Sequence, residues 1–365
     1  LGLYAIVIDP DENAIARSFA DDFAVVGGKD FETTCQIVEQ FKVSGVVSAA
    51  TDKPLVMMAR IAEKYGFSFI STKTATDSTN KYLMKKVFKS TGITCAKGKL
   101  VKNANDIESF PVILKPLDNS GSRGVYYCEN IEQAKNLIEQ AFEFTNNDYL
   151  LAEEVIGGDE YSVESVHFDY KTEVIQITKK ITSEWPYNVE LGHTQPAMLN
   201  QETEEEIFKI IVKVSKALGF NNCVSHTELK INNGELIIIE TSPRLGGDFI
   251  TSHLTPLSTG VNIEQAQIKM AIGEKPNIKK TKNKASGIFY FNFGEGIVEK
   301  IIDNSDKSKY HEIVEVKNSI KIGQRLNRIK NSLERYGYVI IQANSIEELD
   351  EIKNAFFEEI LIKFR

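Results

Sequence analysis

Between Ser225 and Asp248 the chain reads SHTELKINNGELIIIETSPRLGGD, two strand-like runs around an Asn-Asn-Gly turn, and this hairpin constrains the fold more than any other segment. It sets two carboxylates, Glu228 and Glu240, on consecutive strands. Whether they share a face depends on the loop. A two-residue loop of Asn233 and Gly234 pairs position 228 with 239 and sends the glutamates to opposite faces. A three-residue loop, 232–234, pairs 228 with 238, makes the glutamates diagonal neighbours roughly 7–8 Å apart, and puts Gly234 at the left-handed position. The turn chemistry is therefore compatible with a metal held by two carboxylates. Mg²⁺ takes such sites, with water and phosphate oxygens completing its shell. Taken singly, each glutamate also reads as a solvated acid at a strand end. Ser242 and Arg244 follow at steps of two, so they share the face of Glu240 while the strand persists. A guanidinium there suits phosphate or carboxylate oxygens. Gly246 and Gly247 allow close backbone approach, and Asp248 adds a third acid.

Two further segments carry chemistry. In FPVILKPLDNSGSRGVYY a strand delivers Lys115 into a small-residue loop, Ser120, Gly121, Ser122, Arg123 and Gly124, whose backbone N–H groups could cradle phosphate. Neither a Walker loop nor a GxGxxG pattern is present. An ordinary hairpin is the other reading of this loop. In YLLAEEVIGGDEYSVES a buried-looking strand runs into Glu153, Glu154 and Ile156, where free backbone groups could read an adenine ring. Glu160, beyond the Gly157-Gly158 turn, could take ribose hydroxyls. The stretch SEWPYNVELGHTQPAML reads either as a loop around a packed tryptophan or as a substrate contact through Trp185 and His193.

A length of 365 residues implies two or three domains. Residues 1–75 alternate short strands (YAIVID, VSGVVSA, FSFIS) with helices, the texture of a parallel α/β sheet. Residues 76–275 read as α+β. After the Lys-rich linker KPNIKKTKNK, residues 285–365 read as a small α+β module ending in a helix, SIEELDEIKNAFFEEILIKF. The opening LGLYAIVIDPDENA looks like the tail of a helix entering a strand, so one βα unit of roughly 30 residues is expected before Leu1. A net charge of −8 gives no footprint for nucleic acid. No apolar run approaches the roughly 18 residues of a membrane span. The scattered Cys35, Cys95, Cys128 and Cys223 fit a reducing cytoplasm.

Together these segments, in this order, resemble the ATP-grasp superfamily, on the side of biotin carboxylase, the amino-acid ligases and phosphoribosylglycinamide synthetase. The resemblance covers nearly the whole chain. It implies an ATP-grasp fold behind an N-terminal parallel α/β domain, with a small C-terminal α+β module. It also implies an ATP- and Mg²⁺-dependent ligase, with Mn²⁺ as a substitute metal, that joins a small-molecule carboxylate to an amine through an acyl phosphate. By the same resemblance Lys81 and Lys115 contact phosphates under the 120–124 loop. Glu153, Glu154 and Ile156 form the adenine hinge, the last two through backbone, and Glu160 holds ribose. Glu228 and Glu240 bind metal, with Ser242 where the family has asparagine. Arg244 and Lys115 serve the transferring phosphoryl group, and Asp248 takes a substrate role. SPRLGGDF departs from the run associated with phosphoribosylglycinamide synthetase and looks nearer to amino-acid ligases. A carboxylase subunit serving a separate biotin carrier, or a nucleotide-binding protein without ligase activity, are the alternatives. A homodimer is a further expectation.

Overall fold

The computed structural model describes residues 1–119, 121–305 and 309–365. Its centre is an antiparallel eight-stranded sheet in the order Glu235–Ser242, Cys223–Asn232, Asp159–Phe168, Lys171–Thr182, Glu190–Gln195, Ala285–Tyr290, Gly337–Ala343 and Ile313–Asn318. Directly opposed residues share a face, so the register builds transverse rows. Lys230, Glu160, Lys180 and His193 are neighbours across four strands. The next row on that face is Glu240, Glu228, Ser162 and Thr178. The reverse face carries Leu229, Tyr161, Val163 and Ile177, buried with Ile207, Ile211 and Val214 of the helix Gln201–Leu218. Asn200 caps that helix by accepting from the Thr203 N–H, and Gly219 ends it in the left-handed conformation. One face of the sheet is thus an apolar base and the other a polar floor.

A four-stranded antiparallel sheet, ordered Gly98–Val101, Leu150–Glu154, Val112–Lys115 and Tyr126–Cys128, is backed by the helix Ile131–Phe142. Its lysine and glutamate side chains meet the polar floor across a cleft. The C-terminal stretch does not stand apart. Ala285–Tyr290 pairs with Glu190–Gln195, so strands on both sides of the irregular 275–284 stretch belong to the one large sheet. The final segment also differs from its expected helix. The helix stops at Glu358, and Ile360–Phe364, alternately buried and exposed, pairs with Gly296–Asp303.

Near the start, Ile6–Asp9 and Asp22–Val25 form a two-stranded parallel sheet. The helices Phe31–Phe41 and Leu55–Tyr65 follow. VSGVVSA and FSFIS do not become strands, because neither finds a ladder partner among the described residues. Gly45 instead lies against the backbone of Ala271, where a Cβ would come within 2.4 Å of its carbonyl oxygen. Among the described residues no helix is long and apolar enough to cross a membrane.

Candidate active site

The hairpin takes the two-residue loop but not its uninterrupted register. Its turn has two residues, Asn233 and Gly234, both at positive φ (51° and 84°), as a type I′ turn requires. That register alone would separate the glutamates. A bulge at Ile239, between the pairs Leu229–Ile238 and Glu228–Glu240, corrects it. Glu228 and Glu240 therefore stand directly opposite one another on the polar floor, closer than the diagonal arrangement expected.

Each glutamate already faces a lysine. Lys81 Nζ lies 2.8 Å from Glu240 Oε2 and donates to the Asn119 carbonyl at 2.8 Å. Lys180 Nζ lies 2.9 Å from Glu228 Oε1 and 2.6 Å from Glu160 Oε1. Burial would raise the Glu228 carboxyl, but Lys180 and His226 hold it well below the usual range. Burial would lower the Lys81 ammonium, but Glu240 and Asp52 hold it up. His226 bridges Glu164 Oε1 at 2.6 Å and Glu228 Oε1 at 3.3 Å. Burial works against its charge, yet Glu164 and Glu228 raise the imidazole to about 9. Among the described residues no three metal-ligating side chains converge. The donor set is two opposed carboxylates in a cluster of cations, which suits a hard divalent ion completed by water and phosphate oxygens.

The cleft between the two sheets is lined by Lys81, Ala96, Lys115, Glu153, Lys180 and Glu240. Lys115 ends its strand against Glu153, which also takes Lys85 Nζ at 2.8 Å. Desolvation pushes the Lys115 ammonium down despite Glu153. Burial would raise the Glu153 carboxyl, but Lys115 and Lys85 hold it down. The Glu154 N–H donates to the Lys97 carbonyl at 2.9 Å, and the Ile156 carbonyl accepts from Lys230 Nζ at 3.2 Å. The backbone of 154–156, expected to read an adenine, is thus partly engaged within the chain. Gly121 and Ser122 line the cleft, and Gly121, Ser122 and Gly124 all have positive φ. Arg123 Nη2 donates to Asn119 Oδ1 at 2.8 Å. Ser120 lies outside the described residues.

The expected substrate residues separate. Trp185 lines the cleft, its ring stacked on Tyr127 at 5.3 Å with Lys230 over it at 5.8 Å. His193 and Asp248 meet elsewhere, Nε2 to Oδ2 at 3.3 Å, with Arg335 clasping the Asp248 carboxylate. Ser242 donates its hydroxyl to Asp52, and Arg244 Nε donates to the same oxygen at 3.1 Å. Burial would raise the Asp52 carboxyl, but Arg244, Ser242 and Lys81 hold it down.

Asp52, Lys85, Glu164, Lys180 and Arg335 were missed. Asp52 and Arg335 reach the site from distant stretches and leave no local mark. Lys180 left one, as a lysine at an inward-facing strand position in ITKKIT.

Residues 108–252 match the ATP-grasp domain family. The chain is 27% identical over 252 residues to alanine–anticapsin ligase of Bacillus subtilis (strain 168), covering 59% of this chain but 52% of that protein. It thus spans about half the length of that curated relative. The crystal structure of L-amino acid ligase from Bacillus licheniformis superposes with a TM-score of 0.80 at 20% identity, over 95% of this chain and 88% of the other. Phosphoribosylglycinamide synthetase from Anaerococcus prevotii gives 0.74 at 23% identity, over 99% and 93%. Residues 108–252 thus carry an ATP-grasp domain, and the fold shared with these two structures extends over nearly the whole chain.

Proposed function

We propose that the chain is an ATP- and Mg²⁺-dependent carboxylate–amine ligase that works through an acyl phosphate, with an amino acid as the carboxylate. The observation that carries this reading is the directly opposed pair Glu228–Glu240, set among Lys81, Lys180 and Arg244 at the edge of the cleft between the two sheets. Likeness to alanine–anticapsin ligase and L-amino acid ligase supports the choice of amino acid.

Glu228 and Glu240 would hold Mg²⁺, or Mn²⁺ in its place, and the bound ion would neutralise phosphate charge. Ser242 donates its hydroxyl proton to Asp52 and keeps its oxygen lone pairs beside the pair. Lys115 and Lys81 orient the triphosphate beneath the 121–124 backbone, and apolar Ala96, Ile113 and Ile239 wall the base. A carboxylate oxygen attacks the γ-phosphorus and ADP leaves. The amine nitrogen then attacks the acyl carbon, loses its proton, and phosphate leaves with the former carboxylate oxygen. Arg244 offsets the charge that collects on the transferring phosphoryl group. No side-chain nucleophile is needed.

Screening single and paired L-amino acids for Mg²⁺-dependent release of ADP and phosphate tests the reading. At least one pair should stimulate release together more than either amino acid does alone. ATP binding with no stimulation by any carboxylate–amine pair would overturn it.

A further inference from the structure

Arg335 comes from the C-terminal stretch, 83 residues beyond the end of the segment matched to the ATP-grasp domain. Its Nη1 and Nη2 donate to Asp248 Oδ2 and Oδ1 at 2.8 and 2.7 Å. Nε donates to the Ser332 carbonyl at 2.8 Å, and Nη1 reaches the Glu190 carbonyl at 3.4 Å. The guanidinium lies 3.7 Å from the centroid of Tyr290. Four of its five N–H donors are therefore engaged inside the chain. An arginine so occupied is a clamp rather than a ligand for substrate.

What it clamps is strained. Asp248 and Phe249 are consecutive non-glycine residues in the left-handed region, φ 52° and 63°. Such a conformation persists where its surroundings over-determine it. Immediately before it, Gly246 passes so close to His226 and Glu164 that a Cβ would meet their side chains at 2.8–2.9 Å. Immediately after it, Ile250 and Leu254 cover Ile288, Tyr290 and Ile340 on the floor of the sheet. The loop thus joins Arg244 to the cover of the floor beyond His193. Glu190, the second residue Arg335 holds, lines the nucleotide cleft and lies 3.4 Å from Lys180. His193 is buried with Nδ1 unpartnered, while its Nε2 faces Asp248.

We propose that Arg335 is a positioning residue for the amine-accepting end of the site, holding the strained Asp248–Phe249 turn against His193 from outside the nucleotide-binding core. The kinetic consequence rests on the ligase reading; the structural consequence does not. Asp248 presents its carboxylate to His193 only in the clamped turn, so loss of the clamp weakens capture of the amine substrate and leaves nucleotide binding intact.

Two measurements on the full chain test this with Arg335→Ala and Arg335→Lys. In amide hydrogen exchange, Arg335→Ala should lose protection across 246–254 while 223–242 stays as in the wild type, and Arg335→Lys should regain part of it. Unchanged protection at 246–254, or loss spread evenly over the large sheet, would overturn the proposal. In steady-state kinetics with the L-amino acid that stimulates ADP release as acceptor, Arg335→Ala should raise the acceptor KM by at least about tenfold, with the KM for ATP within about twofold. An effect confined to kcat, or a Lys variant no better than Ala, would also overturn it. If no amino acid stimulates release in the wild type, the ligase reading fails and the exchange experiment alone decides the role of Arg335.

Discussion

Lys81 breaks a local rule. It is the first residue of the helix Lys81–Thr91, where the macrodipole disfavours a cation, yet it is nearly buried and ion-paired to Glu240. Such conflicts mark functional positions. Glu240→Ala removes one carboxylate of the opposed pair and the partner of Lys81. Mg²⁺-dependent ATP turnover should fall by at least about a hundredfold while the far-ultraviolet circular dichroism is retained. Turnover at the wild-type rate would remove Glu240 from the site. His167 makes the opposite case, a buried polar side chain with a structural job. Its ring nitrogens face the hydroxyls of Thr172, Ser215 and Ser225, and burial lowers the imidazole to about 3. An unfolded histidine takes its proton near pH 6.5, so between there and about pH 3 the unfolded chain binds more protons. The stabilising term is complete above about pH 6.5 and is lost as pH falls through that window, by up to about 1.4 kcal/mol per pH unit. Urea unfolding should therefore show a steeper acid decline for the wild type than for His167→Gln. Parallel declines would contradict the neutral, buried assignment.

At the scale of elements, the hairpin joins a sequence-legible turn to a bulge that was not. Asn-Gly at a hairpin apex is a strong signal for two positive φ values. Gly234 has open space around its Cβ position, so Gly234→Ala tests backbone strain alone. It should lower unfolding stability by about 1 kcal/mol, with little effect on catalysis. A stability equal to that of the wild type would mean that the turn relaxes freely. The bulge at Ile239 left no mark, because IIIE gives no local reason to count one residue out of the ladder. Face-sharing of the two glutamates was anticipated, but through the wrong loop. Helices 81–91 and 201–218 run from an asparagine cap to a left-handed glycine, and 131–142 has the asparagine cap alone, signals that are local because the terminal N–H and C=O groups are satisfied by neighbours in sequence. The segments 43–49 and 67–71 were misread as strands because a strand exists only with a neighbour, and neighbours are not local information. The tail ILIKF became a strand for the converse reason: its partner, 296–303, was waiting some 60 residues upstream.

At the scale of the whole molecule, a small sheet and a large one face each other across the cleft, and one aromatic contact spans them. Trp185, the chain's single tryptophan, stacks on Tyr127 of the small sheet. Titration with AMP-PNP and Mg²⁺ should change its emission, and Tyr127→Ala should alter the starting spectrum. Emission indifferent to nucleotide would place Trp185 outside the cleft. The strand of Lys115, the strand of Glu153 and the Glu228–Glu240 hairpin were legible as segments lining one cleft. The contributions of Asp52 and Arg335 were not, since each crosses more than 80 residues of sequence to its partner. The proposed activity is tested most directly by the fate of a carboxylate oxygen. With L-amino acids labelled with oxygen-18 in the carboxylate, the phosphate released during Mg²⁺·ATP turnover should carry one labelled oxygen, delivered through the acyl phosphate. Phosphate released without label during amide formation would contradict carboxylate activation by phosphoryl transfer.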